Sequence, residues 1–208
     1  MKTIKTVAVL VVAALVSLNV MADKGKKATT YSVDVQKSTL GWYGKKFTGD
    51  HNGAVAISKG NLVVEGSKLV GGTFEVDMNS ITCKDLTDAG YNAKLVGHLK
   101  SEDFFNSAQF PVSTFKITKV SPIAGAKAGE ANVTITGDLT IRGVTAPVSF
   151  PATVSVQAGN LSASGKITVD RSKYNIKYRS KSFFGDLGDK VIYDEFELTA
   201  NLVTGKAI

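Results

Sequence analysis

The chain has 208 residues, 43% of them hydrophobic and 21% charged, with a formal net charge of +7, which suits one domain with a sizeable core. Arg142, Arg171 and Arg179 are the only arginines, and most lysines alternate with apolar residues or sit in turns. That pattern excludes the clustered basic surface of a nucleic-acid binder, and the single cysteine, Cys83, excludes an internal disulfide.

At the N-terminus Lys2 and Lys5 precede an apolar run from Val7 to Leu18 and the small-residue pattern Val20-Met21-Ala22. This is the plan of a secretory signal peptide over residues 1–22, cleaved after Ala22, because the apolar run falls short of the roughly 20 residues a spanning helix requires. No cysteine lies at the cleavage site to carry a lipoprotein anchor. The expected address is the periplasm or the outside. Residues 23–29, with Lys24, Lys26 and Lys27, read as a flexible leader, and residues 30–208 as one domain.

From there period-two alternation dominates, the mark of half-buried strands. Weaker strands are expected around Tyr31–Val35, Leu40–Phe47 and Ala54–Val64. Phe74, Val76 and Met78 share one face of the next, and Ala89–Lys100 then departs from period two, with Tyr91, Leu95 and Leu99 spaced four apart on a short helix that Asp88 caps. Strands resume with Phe115 and Ile117, and the alternation is cleanest at Val133, Ile135, Leu139 and Ile141. Gly137 falls on that apolar face, where a missing side chain permits the bend a closing barrel needs. Arg142-Gly143 is a hairpin turn, Val148, Phe150, Ala152, Val154 and Val156 form a further strand, and Ala158-Gly159-Asn160 is a second turn. Leu161, Ala163, Ile167 and Val169, and finally Phe196, Leu198, Ala200 and Leu202, complete the set. The fold class is all-β, about eight antiparallel strands with one short flanking helix, closed as a barrel or packed as a sandwich.

Catalytic and metal-binding motifs are missing. His51 and His98 stand in no metal-ligand spacing, and there is no Gly-x-Ser-x-Gly elbow, glycine-rich phosphate loop or Cys-x-x-Cys pair. No catalytic residue, metal ligand or cofactor is assigned. Cys83 reads either as a small buried hydrophobe or as a reactive thiol. The loop from Lys84 to Gly90, with Asp85 and Asp88, does not match a calcium-binding EF-hand.

Two segments carry a resemblance. Gly97-His-Leu-Lys-Ser-Glu-Asp-Phe-Phe-Asn-Ser-Ala-Gln-Phe-Pro-Val-Ser-Thr-Phe115 and Gly137-Asp-Leu-Thr-Ile-Arg-Gly-Val-Thr145, followed by Pro147, resemble the YceI-like family of exported lipocalin-like proteins that bind polyisoprenoids and related lipids. The likeness extends over roughly residues 30–203. It implies an antiparallel lipocalin-like β-barrel that is a carrier or storage protein, not an enzyme. The ligand would be a long apolar lipid, such as a polyisoprenoid, polyprenyl quinone or fatty-acid derivative.

The lining expected on that basis is Trp42, Phe74, Val76, Leu95, Phe104, Phe105, Phe115, Ile117, Leu139, Phe150, Phe183 and Phe196, apolar residues on inward faces or at the opening; the Phe104–Phe115 group reads equally as packed core. His98 has two readings, a headgroup contact at the mouth or a cap on the helix C-terminus. The cationic and aromatic segment 171–184, with Arg171, Tyr174 and Arg179, suits a rim around a polar or anionic headgroup. It departs from the family at Asn175, where glycine is usual; asparagine tolerates the left-handed backbone.

The expected partner is therefore an isoprenoid or other amphiphilic lipid, with no nucleic acid, transient contact with a membrane surface, and a homodimer if an exposed flat strand exists. The other readings are a structural or adhesive β-protein without a cavity and a small lipid-modifying enzyme.

Overall fold

The structure, a computed structural model, describes residues 27–157 and 160–207. The segments read as signal peptide, most of the leader, and Ala158 and Gly159 lie outside them. Nine antiparallel strands run β1 (Ala28–Val33), β2 (Thr39–Lys46), β3 (Gly49–Glu65), β4 (Lys68–Cys83), β5 (Val112–Pro122), β6 (Val133–Ile141), β7 (Val144–Gln157), β8 (Asn160–Asp170) and β9 (Ile192–Ala207). One helix, α1 (Ala89–Lys100), lies between β4 and β5. The first strand begins at Ala28, inside the segment read as leader.

Nine strands fill eight positions. β1 pairs with the far end of β3, Ser32 opposite Asn61, and β2 pairs with its near end, Leu40 opposite Val55; both also pair with β9. They are one interrupted strand, broken by a turn in which Asp34 Oδ1 accepts the N–H groups of Gln36 and Lys37. The sheet then runs β2-β9-β8-β7-β6-β5-β4, and β4 returns to β3. The alternatives left by periodicity resolve into a closed barrel, whose ladder has no free edge.

Residue types account for the local choices. The Arg142-Gly143 turn has φ of 52° and 73°, the twist-matched geometry of a two-residue hairpin. On β6, Ile135, Leu139 and Ile141 are buried, and a Cβ at Gly137 between them would lie 2.5 Å from both the Phe115 ring and the Lys116 carbonyl. The expected bend residue is thus also a close-approach residue. A Cβ at Gly53 would run into both the Thr82 carbonyl and the Trp42 indole, which are joined to each other by the indole N–H donated to that oxygen at 2.9 Å.

The helix has the expected bounds, and Asp88 caps it by accepting the Tyr91 N–H at 2.8 Å. Its inward face differs from the expected one. Tyr91 is 66% exposed, and Asn92 takes the inward place in the first turn, donating to the carbonyls of Cys83 and Leu86. Asn92, Leu95 and Leu99 share one face at helical spacing; the need to satisfy two loop carbonyls put a polar residue where the apolar pattern suggested tyrosine.

The two barrel ends are unlike. The end holding the β3–β4 hairpin is filled by Leu62, Val64, Leu69 and Leu161, all nearly inaccessible. The β2–β3 and β6–β7 hairpins, α1 with its following loop, and the long β8–β9 connection gather at the other. Gly137→Ala is expected to cost about 1–3 kcal/mol through overpacking, read as a lower urea midpoint, and Phe115→Leu in the same chain should restore only part of it because the Lys116 carbonyl cannot move aside.

Candidate functional site

The barrel interior is hollow. An inner chamber of about 100 Å³ adjoins an outer cavity of about 320 Å³ that reaches the helix-covered end. Leu40, Val76, Ser113, Leu139 and Leu198 line both. Among the described residues of the inner wall Ser113 is the buried polar side chain, whereas Thr114 and Ser164, which also border it, are exposed, so the deep part offers a ligand contact area and almost no hydrogen bonds. Such a site holds hydrocarbon by the hydrophobic effect, worth about 25 cal/mol per Å² buried.

Fourteen of the sixteen residues assigned from sequence lie on these walls. Phe74, Phe115, Ile117 and Phe150 line the inner chamber, and Phe115 packs between Phe74 and Phe150 with ring centroids 6.3 and 5.9 Å away. Val76 and Leu139 serve both parts. Trp42, Leu95, His98, Phe104, Phe105, Phe196, Arg171 and Arg179 line the outer cavity. Phe104 is buried in a core cluster and also borders the cavity, so packing and lining are not exclusive for this aromatic group.

Two assignments are corrected. Phe183 is 42% exposed on the β8–β9 connection, with Lys177 Nζ 5.0 Å from its ring, and touches neither cavity. Tyr174 is buried to 1% within the cluster beneath the mouth, where its ring packs as core. Its hydroxyl finds no partner among the described residues, and burial, reinforced by the Asp170 charge, pushes its pKa up to about 12.

Arg171 borders the outer cavity, yet its guanidinium is committed to the protein. Nε donates to the Tyr193 carbonyl, Nη1 to those of Ile176 and Tyr178, and Nη2 to that of Ile192, at 2.8–3.1 Å. Nη2 also lies 3.2 Å from Asp194 Oδ1 as a charge pair. Burial opposes the Asp194 charge, but the hydroxyls of Ser180 and Ser182 and the Arg171 cation outweigh it and hold the carboxyl below its usual range. Arg171 is thus a clamp joining the end of β8, the loop and the start of β9, with little left to offer a headgroup. Asn175, at φ 59° and ψ 26°, takes the left-handed turn expected of it and ends the short 3-10 helix Arg171–Tyr174.

His98 does not cap the helix with its ring. Its Nε2 pairs with Asp103 Oδ2 at 2.9 Å, and the ring stands edge-on to Phe104 and Tyr178 at 4.8 and 4.7 Å. The arrangement orients the imidazole at the cavity mouth. The exposed cations on the rim are Lys45, Lys46 and Arg179, with Glu195 the one carboxylate among the described lining residues; Lys45 and Arg179 lie over the rings of Tyr43 and Tyr178 at 5.3 and 5.1 Å. Sequence reasoning missed Lys45, Lys46 and His51; their place at the β2–β3 hairpin was the available signal. Arg142 was also missed as a brace: its Nη1 donates to the carbonyls of Phe104 and Asn175, tying the aromatic loop to the β8–β9 connection.

Comparison with known proteins agrees with this geometry. The YceI-like domain matches residues 31–204. Protein YceI of Escherichia coli is 38% identical over 91 residues, 44% of this chain and 44% of that protein, so the matched stretch spans less than half of such curated relatives. Among solved structures, Burkholderia cenocepacia BcnA aligns with TM-score 0.62 and 25% identity over 82% of this chain and 98% of BcnA. A polyisoprenoid binding domain from Saccharophagus degradans aligns with TM-score 0.58 and 15% identity over 85% and 98%.

Arg171→Met should lower stability by about 3–5 kcal/mol, the cost of stranding a buried partner charge, whereas Arg179→Gln should change it by less than about 0.5 kcal/mol; urea unfolding of both checks this. Tyr174→Phe removes an unpaired buried hydroxyl and should be neutral or stabilising by up to about 1 kcal/mol. Below pH 10 the tyrosine is neutral in both states. Between pH 10 and about 12 only the unfolded chain ionises it, so the parent should lose stability over that window. The Tyr174→Phe variant has no group to ionise at this position, and that part of the loss should be absent from its unfolding curves.

Proposed function

The chain belongs to the YceI-like family, and on that footing we propose that it is an exported carrier or storage protein that holds a long apolar lipid inside its barrel. The observation that carries this reading is the pair of adjoining cavities, the inner walled almost wholly by hydrocarbon and the outer rimmed by Lys45, Lys46 and Arg179. An amphiphile fits that gradient, tail inward and head at the mouth. A polyisoprenoid, a polyprenyl quinone and a fatty-acid derivative all have this form.

The same observation speaks against a structural or adhesive barrel, which gains nothing from an unfilled interior; packing defects of this kind cost stability. A lipid-modifying enzyme needs a positioned polar pair within reach of the substrate. The inner wall buries the single hydroxyl of Ser113 among its described residues, and the pairs His98–Asp103 and His51–Asp85 stand at the mouth, away from that chamber. Signal-directed export, followed by residence in the periplasm or outside the cell, completes the reading, because a tail-shielding carrier is useful where lipid must cross water.

The test is mass spectrometry of an organic-solvent extract of protein purified from its native compartment without detergent. A stoichiometric polyprenyl or acyl species is the expected result. An empty extract, with no uptake when isoprenoid quinones and fatty acids are offered, would overturn the proposal. Ile117→Asp places a charge on the inner wall and should abolish uptake while the barrel's circular dichroism is retained.

A further inference from the structure

Where β3 begins and β4 ends, three side chains that no sequence motif connects come together. His51 Nδ1 lies 2.7 Å from Asp85 Oδ2. Cys83 Sγ donates to Asp85 Oδ1 at 3.3 Å, and the same oxygen accepts the Asn52 N–H at 2.8 Å. One ligating atom from each of His51, Cys83 and Asp85 lies within 4.8 Å of the others. Cys83 is buried, while the His51 and Asp85 side chains keep 25% and 28% of their surface in contact with solvent.

We propose that His51, Cys83 and Asp85 form a binding site for a divalent cation of the zinc class, with its fourth position open at the rim of the barrel. The Asp85 carboxylate receives the Asn52 N–H, the Cys83 thiol and the His51 ring together. The carboxylate is therefore an acceptor only, so His51 Nδ1 and Cys83 Sγ both point protons at it. Two protons aimed at one carboxylate occupy the place of one dication. On binding, the thiol proton leaves to solvent, the imidazole proton shifts to Nε2, and the metal takes thiolate, carboxylate and a neutral imidazole lone pair. Two negative ligands then balance the ion.

Geometry and softness select the metal. Zinc bonds of about 2.0–2.3 Å put neighbouring ligands of a tetrahedron roughly 3–4 Å apart, close to the spacings already present. Thiolate with imidazole favours zinc over magnesium or calcium, which take oxygen ligands. The supports come from three elements: the Asn52 N–H on Asp85, the ladder pairing of Gly53 with Cys83, and the Asn92 amide, which holds the carbonyls of Cys83 and Leu86 from α1. Ligands braced this way keep their geometry without the ion. His51 also lines the outer cavity, so the three ligands stand beside the barrel mouth.

The test is titration of the chelator-treated full chain, purified without a histidine tag, with Co²⁺ alone and then with Zn²⁺ as competitor. A one-to-one complex with a thiolate-to-cobalt charge-transfer band, displaced by one equivalent of Zn²⁺, is expected. Cys83→Ser should abolish the band, and His51→Gln should weaken Zn²⁺ binding by at least about tenfold, with circular dichroism verifying that each variant folds. An unchanged spectrum in excess Co²⁺, a band that survives Cys83→Ser, or undiminished Zn²⁺ affinity in His51→Gln would overturn the assignment.

Discussion

Because β3 is hydrogen-bonded to β1 and β2 on one side and to β4 on the other, the backbone ladder runs around the molecule and returns to its start. Most peptide groups in that ring find their partner in a neighbouring strand, and side chains take others, as Ser80 and Thr204 accept the N–H groups of Ala56 and Leu161, so little polar demand is left to the interior. This permits an inner wall of hydrocarbon on which, among the described residues, Ser113 is the buried hydroxyl. An open sheet would have to cover its edges and inner face with other elements. A closed one needs only its ends finished, and the two are finished differently, by aliphatic packing at one and by a helix, an aromatic loop and a long connection at the other.

The open end is where charge enters the structure, and the cations there divide between two jobs. Arg171 is spent on four carbonyls and Asp194, fixing the β8–β9 connection against the strands it joins. Arg142 does the same between the aromatic loop and that connection. Lys45, Lys46 and Arg179 keep their charges exposed on the rim. A mouth with a rigid frame and a free cationic edge can admit a tail without losing its shape. The edge-on packing of His98 against Phe104 and Tyr178 places an aromatic collar between rim and chamber.

Much of the fold was legible because alternation in a strand is a direct record of which face meets hydrocarbon. The pattern at Val133 to Ile141 and at Phe196 to Leu202 named inward residues that the structure buries or places on the cavity wall. Helix bounds and the Asp88 cap were legible for the same local reason. Tyr91 and Phe183 were misplaced because an apolar side chain at a helix start or in a loop has no periodic neighbours to say which way it turns. Tyr174 was read as rim because its chemistry suits one, and burial in the cluster beneath the mouth decided otherwise; Arg171 does border the cavity, with its guanidinium spent on the protein. His51, Cys83 and Asp85 carried no motif, since His51 and Asp85 are 34 positions apart and meet only through the β3–β4 register.

By itself the sequence determined the class of fold, the inward-facing residues of each strand, the single helix and the family likeness, all of which depend on neighbours within a few positions. Whether the interior was packed or hollow, which arginine was free and which committed, and which polar residues would converge were settled only by barrel closure. Those properties depend on the spacing between strands far apart in the chain, and a one-dimensional pattern of apolar residues is the same around a filled core as around an empty one.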